Sequence, residues 1–156
     1  MSTRVTKPSN MFGVQQQILG LSPKGDSLEA GLLSLVRMRA SQINGCATCL
    51  AMHAREMREQ GEREDRLYVL SAWRDTGWFT EREQAALAWT ESVTTLDHGE
   101  VSDEVYAQAR AQFSELELAE LTLDVIAINS WNRLNIAFRV QPKPLTIESQ
   151  AAVTAD

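Results

Sequence analysis

Three short signals punctuate this chain, and each has the form of a helix start. Asp26 with Glu29, Thr80 with Glu83, and Ser114 with Glu117 have capping-box spacing. In that arrangement a short polar side chain and a carboxylate three residues on satisfy the orphan N–H groups of a first helical turn. Apolar residues at helical spacing follow each one. After Asp26 they are Leu28, Leu32, Leu35, Val36 and Met38; after Thr80 comes the Ala/Leu-rich run REQAALAWTESV. Ser102, followed by Asp103 and Glu104, opens a further helix with acids at its positive end. The stops are as regular as the starts. Asn44-Gly45, Asp75-Thr76-Gly77 and Asp97-His98-Gly99 hold residues that tolerate the left-handed backbone on which many helices end.

These signals predict helices over Ser9 to Leu19, from Asp26 to Asn44, and from about Cys46 to Gly61. Others follow from Asp65 to Trp73, after Thr80, after Ser102, and from Ser114 to about Arg139. No run has the alternation of a strand, and no repeat is present. The expected fold is all-α, one domain over residues 1–156, with about 1–8 and 141–156 peripheral and flexible. The last helix carries Leu116, Leu118, Leu121, Leu123, Val125, Ile126, Ile128, Leu134 and Ile136 around much of its circumference. Such a helix sits either centrally or in a subunit interface, so an oligomer is expected.

Fifteen basic against twenty-one acidic side chains give a net charge of -6. An acidic surface repels phosphate backbones, which argues against a nucleic-acid partner. No apolar run reaches membrane-spanning length, and the first residues lack a signal peptide's apolar stretch. The expected location is the cytoplasm, where a cysteine pair is normally reduced.

The chain's only two cysteines and one of its two histidines lie within INGCATCLAMH, residues 43–53. On a helix starting near Cys46, the side chains of Cys46, Cys49 and His53 fall within roughly 60° of arc. A helix N-terminus favours the thiolate, the reactive form of cysteine. His53 stands four residues after Cys49, within reach of its sulfur. Two thiols and a local base are the parts of a two-thiol redox cycle. The same residues also form a C-x2-C-x3-H set that could ligate a metal if a fourth ligand joined it. Plain packing of small buried residues is the third reading. The shared stripe beside a helix start favours redox chemistry.

Three segments resemble the AhpD-like alkylhydroperoxidases of the carboxymuconolactone decarboxylase superfamily. They are LVRMRASQINGCATCLAMHAREMREQGE (35–62), RLYVLSAWRDTGWFTEREQAALAWTE (66–91) and ELTLDVIAINSWNRLNIAFR (120–139). The decarboxylases of that superfamily generally lack the cysteine pair, so the resemblance implies peroxide reduction, in antioxidant defence. It implies that Cys49 attacks the peroxide, Cys46 resolves the sulfenic acid as a disulfide, and His53 moves the proton. It implies no bound cofactor, a hydroperoxide substrate, and a dithiol reductant such as a lipoyl or thioredoxin-like protein. It also implies a homo-oligomer, a trimer or hexamer.

In the family's peroxidases a glutamate twelve residues before the first cysteine joins a proton relay with the histidine. Here that position is Ser34, which cannot serve as a carboxylate base near neutral pH. Thr48 stands where those peroxidases can carry another histidine. Ser34 is expected to line the site without acting as an acid or base, and Glu29 and Glu56 are candidate replacements. The departure implies weak peroxidase activity or another thiol exchange, including a non-catalytic redox sensor. Trp73, Trp78, Trp89 and Trp131 are expected as core or interface anchors. Asn129, Asn132 and Arg133 are expected to bond between helices or subunits. Gln42 and Asn44 could position the cysteine loop or a substrate, and His98 is expected in a solvated turn.

Overall fold

A computed structural model describes residues 3–4, 9–21 and 27–144. The helices are α1 (Ser9–Leu19), α2 (Ala30–Asn44), α3 (Ala47–Glu59), α4 (Glu64–Val69), α5 (Glu81–Thr95), α6 (Asp103–Gln112) and α7 (Glu115–Ala137). Tight 3-10 turns occupy Leu70–Asp75 and Asp97–Gly99. No strand is present among the described residues, so the fold is all-α.

The central element is α2, which packs against α3, α5 and α7. It is buried on two faces because its apolar residues serve two clusters. Leu32 and Val36 enter one with Ala86, Trp89, Leu121 and Val125. Leu35 and Met38 enter another with Met57, Leu70, Trp73 and Leu87. α7 is buried on one side only: Leu121, Val125 and Ile128 point inward, whereas Leu116, Ile126 and Ile136 are exposed.

The capping boxes at Thr80 and Ser114 both form, each with its reciprocal pair of hydrogen bonds. Ser102 caps α6 by accepting from the Val105 N–H. The expected start near Asp26 does not hold. α2 begins at Ala30, and Glu29 occupies the cap position without a side-chain cap bond; Asp26 lies outside the described residues. Tertiary partners explain the difference. The Glu29 carboxylate accepts from Arg82 Nε at 3.1 Å, and the Ser27 hydroxyl donates to Glu120. The helix expected over Asp65 to Trp73 is also divided, because Ala72 leaves helical geometry and Leu70–Asp75 tightens. The tighter turn eclipses residues three apart. Leu70 and Trp73 thereby bury in the same cluster.

Most of the two end segments expected to be peripheral, 1–8 and 141–156, lies outside the described residues. Thr3 and Arg4 are tied down: the Thr3 hydroxyl and the Arg4 N–H donate to the carbonyls of Arg139 and Phe138. Among the described residues no helix is long and apolar enough to cross a membrane.

The junction that matters for the site is Gly45. It stands at φ 70°, in the left-handed region, and closes α2. The Gly45 and Cys46 N–H groups return to the carbonyls of Gln42 and Ser41, a Schellman closure. α3 therefore starts immediately, with Cys46 as its N-cap. Gly45→Ala is expected to cost about 1 kcal/mol, since a Cβ disfavours this backbone. A lower urea midpoint with an unchanged slope is the readout, and Gly45→Asn should lose less.

Candidate active site

Cys46 and Cys49 are joined as a disulfide, with their Cα atoms 5.4 Å apart. Each is 1% exposed. Cys46 Sγ accepts from the Cys49 N–H at 3.4 Å, so a sulfur does the work usually done by a serine or aspartate oxygen at a helix start. Cys49 is the third residue of α3, inside the turn whose free N–H groups favour negative charge.

Cys49, not Cys46, lines a cavity of about 510 Å³. Its apolar wall comes from Leu19 on α1, Met52 on α3, and Ala127, Ile128 and Trp131 on α7. Its charged and polar wall is Thr48, His53 and Glu56 on α3, Arg37 on α2, and Asp124 and Asn135 on α7.

His53 is 4% exposed. Its Nδ1 lies 2.8 Å from Glu56 Oε2. An ionised carboxylate only accepts, so Nδ1 carries the hydrogen and donates it. The neutral ring then keeps its lone pair on Nε2. Nε2 is buried and has no hydrogen-bond partner among the described residues. Burial pushes the His53 pKa below its ordinary value of 6.5; the Glu56 hydrogen bond and charge oppose this without reversing it. The ring is therefore neutral near pH 7, with a free basic nitrogen one helical turn from Cys49.

Asp124 is 1% exposed and is held by Arg37, whose Nη2 donates at 2.6 Å and whose Nε donates to both carboxylate oxygens at 3.1 Å. A buried carboxylate needs such a partner. The pair places opposite charges beside His53, and their effects on the ring oppose one another.

The sequence-derived candidates separate at this point. Cys49, His53 and Glu56 share one cavity, with Cys46 bonded behind them. Ser34 is elsewhere. It is buried, donates to Gln60 Oε1 at 3.1 Å, and lines a different cavity of about 270 Å³ with Met57 and Arg66. The expectation that it lines the cysteine site is corrected: Ser34 faces the C-terminal end of α3, whereas Cys49 belongs to its first turn. Glu29 is withdrawn as a replacement because Arg82 binds its carboxylate. Trp131 lines the cavity instead of anchoring the core. Trp73 and Trp89 are buried, and Trp78 is exposed beneath the Arg63 guanidinium. The His98 side chain lies outside the described ones.

Asn129 and Asn132 bond between helices, as expected. Asn44 Nδ2 donates to the Oδ1 of each at 2.9 Å, and Asn132 Nδ2 donates to Ser41 Oγ at 3.0 Å. Arg133 bonds within α7, to Asn129 Oδ1. Gln42 accepts from Arg39 and does not line the cavity. Sequence reasoning missed Arg37, Asp124 and Asn135. An acid set within the apolar stretch of α7 and a third asparagine on that helix were the available signals. Among the described residues, no group of three or more His, Cys, Asp or Glu side chains has metal-holding geometry.

Residues 14–92 match the carboxymuconolactone decarboxylase family. The uncharacterized protein YdfG of Bacillus subtilis is 39% identical over 114 residues, 73% of this chain and 78% of that one. The chain belongs to this family. Within it, the fold is AhpD-like. A crystal structure of a protein of unknown function from Agrobacterium tumefaciens, suggested to be an antioxidant defence protein AhpD, superposes with a TM-score of 0.83. The match is at 33% identity, over 92% of this chain and all of that one. The debrominase Bmp8 shares the fold alone: TM-score 0.69 at 18% identity, over 93% of this chain and 74% of that one.

The lowered His53 pKa sets a direction for stability. The unfolded chain binds a proton at this histidine near pH 6.5 and the folded one resists it. The His53 contribution is therefore present above pH 6.5 and is lost as pH falls through the lower folded value. Urea midpoints should drop as pH is lowered from 7.5 to 5.5, and His53→Gln should flatten that part of the curve.

Proposed function

We propose that this protein is a thiol-dependent peroxidase that reduces organic hydroperoxides through the Cys46/Cys49 pair. The observation that carries the reading is the position of Cys49. Its sulfur belongs to a redox pair at a helix start, beside an apolar-walled cavity that also holds a neutral histidine.

The cycle runs from the dithiol. His53 Nε2 takes the Cys49 proton, and the thiolate attacks the terminal peroxide oxygen. An S–O bond forms, the O–O bond breaks, and the departing alkoxide takes the proton back from His53 to leave as an alcohol. Cys49 is now a sulfenic acid. The Cys46 thiolate attacks the Cys49 sulfur, the S–S bond forms, and the hydroxyl leaves as water after gaining a proton. An external dithiol then reduces the disulfide and is itself oxidised. Glu56 replaces the carboxylate missing at position 34. It binds Nδ1 of the ring, and its own side chain is 43% exposed, so it joins the buried imidazole to solvent protons.

The reductant is a lipoyl or thioredoxin-like dithiol, and the working enzyme is a homotrimer or homohexamer. The exposed Ile126, Ile136 and Leu116 on α7 support assembly, which light scattering would size.

Stopped-flow mixing of the reduced protein with one equivalent of cumene hydroperoxide tests the reading, with intact mass reporting the loss of two hydrogens. Cys49→Ser should abolish the fast phase. Cys46→Ser should keep it and leave a sulfenic acid that dimedone traps. Glu56→Gln should slow it by roughly a hundredfold, the low end of the range for one lost acid–base group. Oxidation no faster than that of a free thiol, and indifferent to His53→Gln, would favour a redox sensor or a disulfide-exchange protein instead.

A further inference from the structure

Asn135 on α7 hydrogen-bonds the cysteine assigned as nucleophile: its Nδ2 donates to Cys49 Sγ at 3.4 Å. It also lines the cavity. Its place is set by register. Asn129, Asn132 and Asn135 recur every third residue, so they lie along one oblique row of the helix surface. The first two grip Asn44 and Ser41, next to the turn that delivers Cys46. That grip presents the third to the sulfur of Cys49.

In the disulfide, sulfur is a weak acceptor and this contact counts for little. In the reduced protein Cys49 can ionise. A neutral amide N–H aimed at a thiolate then becomes a charge-assisted hydrogen bond. The bond favours the charged form and lowers the thiol pKa. We propose that Asn135 is a sulfur-binding residue that holds Cys49 as a thiolate in the reduced protein and so makes it, not Cys46, the attacking thiol. The inference rests on the assignment of Cys49 as nucleophile.

The other charged groups facing the sulfur's cavity do not supply this role cleanly. Arg37 on α2 is engaged by Asp124 on α7, and Glu56 on α3 is engaged by His53. His53 can take the proton, but burial disfavours the positive charge the ring would then carry, so the resting site holds it neutral. Among the described residues, α1 contributes Leu19 alone to this cavity. A neutral donor in direct contact is the remaining stabiliser, together with the start of α3.

The test uses Cys46→Ser protein, in which Cys49 is the only thiol and serine oxygen can keep the helix cap. Iodoacetamide alkylation rate against pH gives the Cys49 pKa, and thiolate absorbance at 240 nm checks it. Adding Asn135→Leu, which removes the donor at similar volume, should raise that pKa by about one unit, a tenfold fall in thiolate on the acid side. Asn135→Asp should raise it at least as far, because a carboxylate repels the thiolate. A variant-free readout runs alongside: the Asn135 side-chain amide proton should titrate with the Cys49 pKa by NMR. Alkylation profiles that superimpose on the parent in both folded variants, or an Asn135 amide that ignores the titration, would overturn the proposal. No peroxide enters these measurements. A shifted profile in a protein that does not reduce cumene hydroperoxide would sink the peroxidase reading and leave the Asn135 assignment standing.

Discussion

Asn132 is fully buried in the middle of α7, and the site depends on what it holds. Its amide donates to Ser41, and its carbonyl oxygen accepts from Asn44, so the last turn of α2 is bound to α7 by buried polar contacts. A buried amide without partners would cost stability, and paired amides fix one register. That register sets Gly45 to turn the chain, Cys46 to cap α3, and Cys49 beside the cavity. Apolar contacts around α2 would tolerate small sliding. The asparagine contacts tolerate less, because a hydrogen bond depends on angle as well as distance and weakens steeply when misaligned.

The chemistry of the site follows from where charge is allowed. His53 is buried and stays neutral, so it can act as a base near neutral pH. Arg37 and Asp124 sit close by as a matched pair, which keeps a strong unbalanced field off the imidazole. The single carboxylate bonded to the ring is Glu56, and it reaches toward solvent. Ser34 is bonded instead to Gln60 and lines a separate cavity. The carboxylate bonded to the ring thus comes from α3 itself, three residues beyond the histidine, and not from position 34 on α2.

The shape of the cavity carries a related consequence. Both cysteines are almost wholly covered, and Cys49 borders a cavity whose apolar wall includes Leu19, Met52, Ile128 and Trp131. An apolar wall around one polar corner suits a small molecule whose reactive group is polar and whose body is not.

The all-α fold was legible because its signals are local. Thr80 and Ser114 with their paired glutamates, the Ser102 cap and the Asn44-Gly45 stop act within four residues, and each appears where the residue types place it. The Cys46, Cys49 and His53 stripe was legible for the same reason, since 3.6 residues per turn is enough to align it. Local signals failed where a distant group took the side chain. Arg82 claimed the Glu29 carboxylate and left α2 to start at Ala30, and the shared burial of Leu70 and Trp73 tightened the chain after α4. The choice between Ser34, Glu29 and Glu56, the pairing of Arg37 with Asp124, and the arrival of Asn135 at Cys49 all join residues far apart in the chain or depend on which cavity a helix face meets. The sequence by itself determined the helices, their ends and the cysteine–histidine stripe. Only tertiary packing decided which polar groups share a cavity with that stripe, because burial and the partners that offset it exist only once the helices meet.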